Sequence, residues 1–219
     1  MEAKRMMKLG VSSAGLGYHR SPWKVPGTPP RGGMSFEHYR EMAEIAERAK
    51  FDMIFFADSD GARTNDKPPG SAARSSFDIT LDPITLLSAL AVVTSRIGLV
   101  ASASTTYNEP FHIARKFASI DHLSGGRAGW NVVASWSDLI AQNFGAETHP
   151  DYTARYERAR EFLDVVEGLW DSWEEDAWLA DVESGLFSDR DKIHTLNHKG
   201  KHYAVRGPLN MPRGLRATR

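Results

Sequence analysis

The stretch SGGRAGWNVVAS, residues 124–135, decides how the chain is read. It closes a helical pattern, turns on two glycines and runs into a short apolar strand at about 129–134. One polar side chain, Asn131, stands where a core strand would be apolar throughout. A buried polar group left unpaired costs about 1–3 kcal/mol, so Asn131 needs a partner. Residue type alone favours neighbouring backbone as that partner over a ligand.

Working outward, the same unit recurs. Upstream, PFHIARKFASIDHL (110–123) reads as a helix, with Pro110 at its start and apolar residues at 111, 113, 117, 120 and 123. Before it, IGLVASASTT (97–106) reads as a strand that ends in hydroxyls: Ser102, Ser104, Thr105 and Thr106. The segment 82–95 is a helix, with Asp82 as cap and Pro83 at its first position. DMIFFAD (52–58) is a buried strand ending in Asp58, and 35–50 is a helix capped by Ser35. MKLGVSSA (7–14) is a first short strand. Downstream, 152–173 is the longest helix, with Tyr156, Phe162, Val166 and Leu169 among the residues of its expected inner face.

Strand–helix occurs four times, and long loops at 15–34, 59–80 and 136–151 follow strand ends. Alternation of this kind implies a parallel sheet with right-handed crossovers. The expected fold class is α/β: a TIM-like (β/α) barrel, of which this chain supplies the first four βα units in residues 1–173. Residues 174–219 are expected to hold an acidic excursion, a hairpin at 193–206 turning around Asn197–Lys201, and a basic tail, GLRATR. A doubly wound sheet is the competing architecture, but no G-x-G-x-x-G follows the first strand.

Totals exclude several functions. The chain has 219 residues, 41% hydrophobic and 25% charged, with a formal charge of -1, so no pull toward nucleic acid or membrane follows. It has no cysteine, which removes disulfides, thiolate catalysis and cysteine-ligated metal. No signal-peptide pattern or bilayer-length apolar run is present, and a cytoplasmic location is expected. There is no P-loop and no G-x-S-x-G elbow. His194, His198 and His202 recur every four residues but fall on the expected hairpin, so exposed polar positions are favoured over a metal site. No metal is expected. His112 is a weak catalytic candidate on the 110–123 helix.

The remaining chemistry gathers at strand ends: Asp58, the Ser102–Thr106 hydroxyls, Asn131, and Tyr152 with Tyr156 at the start of the last long helix. Hydrogen-bonding groups and aromatics around an apolar site suit a planar heteroaromatic ligand.

The phrases FFAD (55–58), ASTTYNEPFHIARKFASIDHLSGGRAGWNVVAS (103–135), NFG (143–145) and DYTARYERAREFLDVVEGLWDSW (151–173) resemble the bacterial-luciferase-like FMN-dependent monooxygenases. Within them, the resemblance is to the large component of the nitrilotriacetate, dibenzothiophene-sulfone and alkane monooxygenases. The resemblance runs up to Arg213 through HKGKHYAVRGPLNMPR. It implies an oxidoreductase that uses reduced FMN and O2 to oxygenate a small organic substrate. The FMN would be supplied by a separate NAD(P)H-dependent flavin reductase, and a homo-oligomer is expected. Carried over by position, the flavin residues are Asp58, Ser102, Ser104, Thr105, Asn131, Tyr152 and Tyr156. Tyr152 stands where many relatives carry His. The family pattern continues into further strands, whereas GLRATR departs from it, so a half barrel with two bare sheet edges is expected. Two other readings stand beside this one. One is a deazaflavin-dependent oxidoreductase of the same superfamily, and the other is an incomplete half barrel that acts only by self-association.

Overall fold

A computed structural model describes residues 6–62 and 66–215. The elements in chain order are β1 (Gly10–Ser13), α1 (Phe36–Arg48), β2 (Met53–Phe56), α2 (Pro83–Ala91), β3 (Gly98–Ser104), α3 (Pro110–Ser124), β4 (Ala128–Val133), α4 (Asp138–Gln142) and α5 (Tyr152–Trp170). Four short strands follow: β5 (Trp178–Asp181), β6 (Leu186–Ser188), β7 (His198–Lys199) and β8 (Ala204–Val205). Strands β1 to β4 form one sheet in that order, so β1 and β4 are its edges and the barrel is not closed. The pairs β1–β2 and β2–β3 are parallel, with Ile54 opposite Val11 on one side and Leu99 on the other. This is the expected α/β architecture of four successive βα units.

The chain forms two compact units. The first comprises residues up to Ser102 together with Gly129–Asn131. Its core is apolar on β2 and β3 (Ile54, Phe56, Leu99, Ala101) and on α2 (Leu86, Leu87, Leu90). Tyr39 of α1 is 1% exposed, and its hydroxyl donates to the Gly33 carbonyl at 2.9 Å, which satisfies the one polar atom it buries. Asp82 caps α2 by accepting from the Thr85 N–H at 2.7 Å, and Pro83 follows, as the sequence predicts. Glu47 anchors the entry to β3, accepting from the backbone N–H groups of Ser95, Arg96 and Ile97 and from the Ser95 hydroxyl. Burial pushes this carboxyl up, but the four donors more than reverse it and hold it at about 2.

The second unit comprises Ala103–Ala128 and residues from Val132 onward. Helices α3 and α5 pack together, burying Ile113, Phe117 and Ile120 on one and Phe162, Val165, Val166 and Leu169 on the other. The Trp170 indole donates to the Ala114 carbonyl at 2.9 Å and that of Trp173 to the Leu209 carbonyl at 2.8 Å. Helix α3 stops at Gly125, in the left-handed region at φ 69°, and the Gly126 N–H closes back on the Asp121 carbonyl.

Five sequence expectations need correction. Ser35 stands at the start of α1 but makes no side-chain capping bond. The loop 136–151 contains the short helix α4, and the acidic excursion contains the antiparallel pair β5–β6. The hairpin at 193–206 turns at 200–203 rather than 197–201, because His198 and Lys199 pair with Val205 and Ala204. Tyr156 is 50% exposed and does not belong to the inner face of α5, which begins at Ala159. The last four residues of GLRATR lie outside the described residues.

Candidate active site

In the first unit, Asn131 meets Ser102. The Asn131 side-chain amide donates to the Ser102 hydroxyl at 2.9 Å, so its partner is a side chain on the neighbouring strand rather than backbone. Ser102 is 3% exposed. Asp58 lies two residues past the end of β2. The residue is exposed as a whole, yet protein crowds its carboxyl, and loss of water is the main cause that lifts it to about 6. The negative charges of Asp60 and Asp82 add to the rise, and the Ser59 N–H opposes it. Asp60 is raised as well, by burial first and then by Asp82. A carboxyl near 6 exchanges a proton close to neutral pH, which is useful for holding or releasing a proton on a ligand heteroatom.

In the second unit, the residues at the end of β3 bind the main chain at the end of β4 and just beyond it. The Thr105 N–H donates to the Val133 carbonyl at 2.8 Å, and the Thr106 hydroxyl donates to Ala134 at 2.7 Å. The Ser104 and Ser135 hydroxyls share a hydrogen bond of 2.8 Å. Ser104 and Thr105 are buried. Ser135 sits at φ 54°, a left-handed conformation that costs a non-glycine residue about 1–3 kcal/mol. It is pinned by Ser104 and by Arg155, whose guanidinium donates to the Ser135 carbonyl at 2.9 Å.

Tyr152 and Tyr156 open α5, which Asp151 caps through the Ala154 N–H at 3.0 Å. Four residues apart, they share one side of the helix, and their rings meet at a tilt, with centroids 4.5 Å and planes 39° apart. The Arg155 guanidinium lies 5.4 Å from each ring. Both rings are exposed, 67% and 50%, so the pair offers an aromatic face with a cation beside it.

The structure adds residues that the sequence reading passed over. The Tyr107 hydroxyl bonds His149 Nδ1 at 2.6 Å, and the Tyr107 ring stacks on Phe144 at 4.5 Å. Burial lowers the His149 pKa, and the Arg155 charge lowers it further. Tyr107 and His149 are 42 residues apart, so no local pattern joins them. Arg155 does carry a signal, because it stands beside Tyr156 in the quoted helix.

His112 is exposed in the first turn of α3 and meets none of these groups. The three hairpin-region histidines each face a carboxylate: His194 to Glu174 at 2.7 Å, His198 to Glu161 at 3.0 Å and His202 to Glu157 at 3.9 Å. No metal-ligand cluster occurs among the described residues. No helix among them is long and apolar enough to cross a membrane.

Residues 17–216 match the family model for luciferase-like monooxygenase. The chain belongs to that family. It is 52% identical over 96% of its length to the N-acetyl-S-(2-succino)cysteine monooxygenase of Bacillus subtilis (strain 168), covering 46% of that protein. It is 44% identical over 97% of its length to nitrilotriacetate monooxygenase component A of Aminobacter aminovorans, covering 48%. Among solved structures, the long-chain alkane monooxygenase superimposes with a TM-score of 0.88 at 32% identity, over 97% of this chain and 50% of that one. Riboflavin lyase with modified FMN and substrate riboflavin gives 0.85 at 29% identity, over 96% and 48%. The chain spans about half the length of the relatives it matches.

Proposed function

We propose that this chain carries the flavin-binding strand ends of a two-component monooxygenase that uses reduced FMN and O2 to oxygenate a small organic substrate. The observation that carries the reading is the exposed, tilted Tyr152–Tyr156 ring pair with Arg155 beside it, in a chain that matches the family model over 17–216. An exposed aromatic face and a guanidinium suit a planar heteroaromatic ring that bears a phosphate. The first unit offers Asp58, Ser102 and Asn131, and the second offers Ser104, Thr105, Tyr152 and Tyr156. These residue types fit the flavin: amide and hydroxyl groups for its polar edge, and a carboxyl near 6 for a ring nitrogen or oxygen.

When bound, reduced FMN supplies the electrons that activate O2. The protein's own work is narrower. Tyr152 and Tyr156 hold an aromatic surface, and Arg155 holds negative charge. Asp58 keeps or yields a proton near neutral pH. The Ser102–Asn131 and Ser104–Ser135 bonds fix the strand ends, so that these groups need not reorganise when a ligand arrives. The partner in this reading is an NAD(P)H-dependent flavin reductase that delivers reduced FMN, and the site of action is the cytoplasm.

The test is oxygen incorporation. The chain is incubated with FMN, NADH, a flavin reductase and N-acetyl-S-(2-succino)cysteine or nitrilotriacetate, the compounds named for its relatives. Product carrying label from 18O2, dependent on the chain, supports the proposal. Flavin oxidation with no labelled product contradicts activity in this chain.

A further inference from the structure

A concavity of about 350 Å3 lies in the second unit. That is the lower end of the size range for small-molecule sites. Tyr107 and Phe144, stacked with their planes 15° apart, form one wall, and Arg158 and Glu109 also line it. Arg158 lies on α5 two residues past Tyr156, which places it about 200° around the helix from that ring. Arg158 thus leaves the helix on a different side from the tyrosine pair.

The state of Arg158 is unusual. Its guanidinium rests over the Tyr203 ring at 4.8 Å, and the Tyr203 hydroxyl is its polar partner. Burial, the largest effect, pushes that phenol up to about 12, so it stays neutral and brings no counter-charge to the arginine. Arg158 Nε is buried with no hydrogen-bond acceptor. Arg158 has no ion-pair partner among the described residues, although a partly buried cation ordinarily has one. Glu109 lines the same cavity, and as the residue that precedes α3 it makes no side-chain capping bond.

We infer that this cavity binds a small carboxylate with an apolar or aromatic body, the acid group pairing with Arg158 and the body lying against Tyr107 and Phe144. A carboxylate matches the planar donor fork of arginine and supplies a negative charge beside it. The apolar wall takes the remainder. Glu109 restrains affinity by repelling the same acid, so neutralising it tightens binding. Nothing in this site depends on flavin.

Phenylacetate is the probe and phenylacetamide its uncharged counterpart, each titrated by calorimetry into the full chain without flavin. Phenylacetate is expected to bind saturably and the amide at least tenfold more weakly. Arg158→Gln is expected to weaken the acid at least tenfold, and Glu109→Gln to tighten it several-fold. Because Arg158 also packs on Tyr203, Phe144→Ala provides an independent variant at an exposed position, with a several-fold loss expected. Absence of saturable phenylacetate binding, equal affinity for acid and amide, or unchanged affinity in Phe144→Ala overturns the inference.

Discussion

The Asn131 amide nitrogen donates to the Ser102 hydroxyl across two neighbouring strands at 2.9 Å. This bond explains how a polar residue is tolerated in β4: the strand beside it supplies a buried hydroxyl. Asn131→Ala leaves Ser102 without that donor and is expected to cost about 1–3 kcal/mol in urea unfolding. Ser102→Ala with Asn131→Ala should then cost less than the two single changes summed, by about 0.5–3 kcal/mol, the signature of directly coupled partners. Strict additivity contradicts the pairing.

Ser135 gives a prediction with a rank order. Its φ of 54° favours glycine, while its hydroxyl bonds Ser104. Ser135→Ala loses the bond and keeps the strain. Ser135→Gly loses the bond and releases the strain, so it should be the more stable of the two by about 1 kcal/mol. The reverse order in thermal unfolding contradicts the strained geometry.

Glu47 makes part of the stability acid-sensitive. Its folded pKa of about 2 lies below the ordinary glutamate value of 4.5. Its contribution is therefore fully present above 4.5 and is lost as the pH falls toward 2. Glu47→Gln should destabilise the chain by about 1–3 kcal/mol at pH 7, and the difference from the parent should shrink as the pH drops through that window. A difference that stays constant with pH contradicts the role given to its charge.

Asp58 runs the other way. Its folded pKa, about 6, is raised above the ordinary aspartate value of 3.8. Its contribution is fully present below 3.8 and is lost as the pH rises through 6, where the crowded carboxyl must ionise. Asp58→Asn is therefore expected to stabilise the chain at pH 8 and to change little at pH 4. Removing a neighbouring negative charge with Asp82→Asn should lower the Asp58 pKa as followed by carboxyl NMR. A titration midpoint near 4 contradicts the environment described for this residue.

The four βα units were legible because their signals are local. Asp82 with Pro83, Pro110, and the glycines at 125 and 126 mark helix ends by their own backbone requirements, and IFF and GLVA are short apolar runs of strand type. The pieces that escaped lack such signals. Helix α4 is only five residues long, and β5–β6 expose Trp178, Leu179, Leu186 and Phe187, so neither shows the inside–outside alternation of a core element. The hairpin turn was misplaced because Asn197 and Gly200 both favour turns, and only pairing with Ala204 and Val205 decides between them. In the site, residue types were readable but partners were not. Asn131 needed a partner, and strand order chose Ser102. Tyr107 reaches His149 only through the fold, and the exposed face of Tyr156 became visible only with the helix in place.

The most direct measurement is an anaerobic titration of reduced FMN into the full chain, followed by flavin fluorescence and calorimetry. Saturable binding at one flavin per chain is expected, weakened at least tenfold by Tyr156→Ala. No saturable binding of reduced FMN, or equal binding in the Tyr156→Ala variant, would contradict the assignment of these strand ends and of the α5 tyrosines to the flavin.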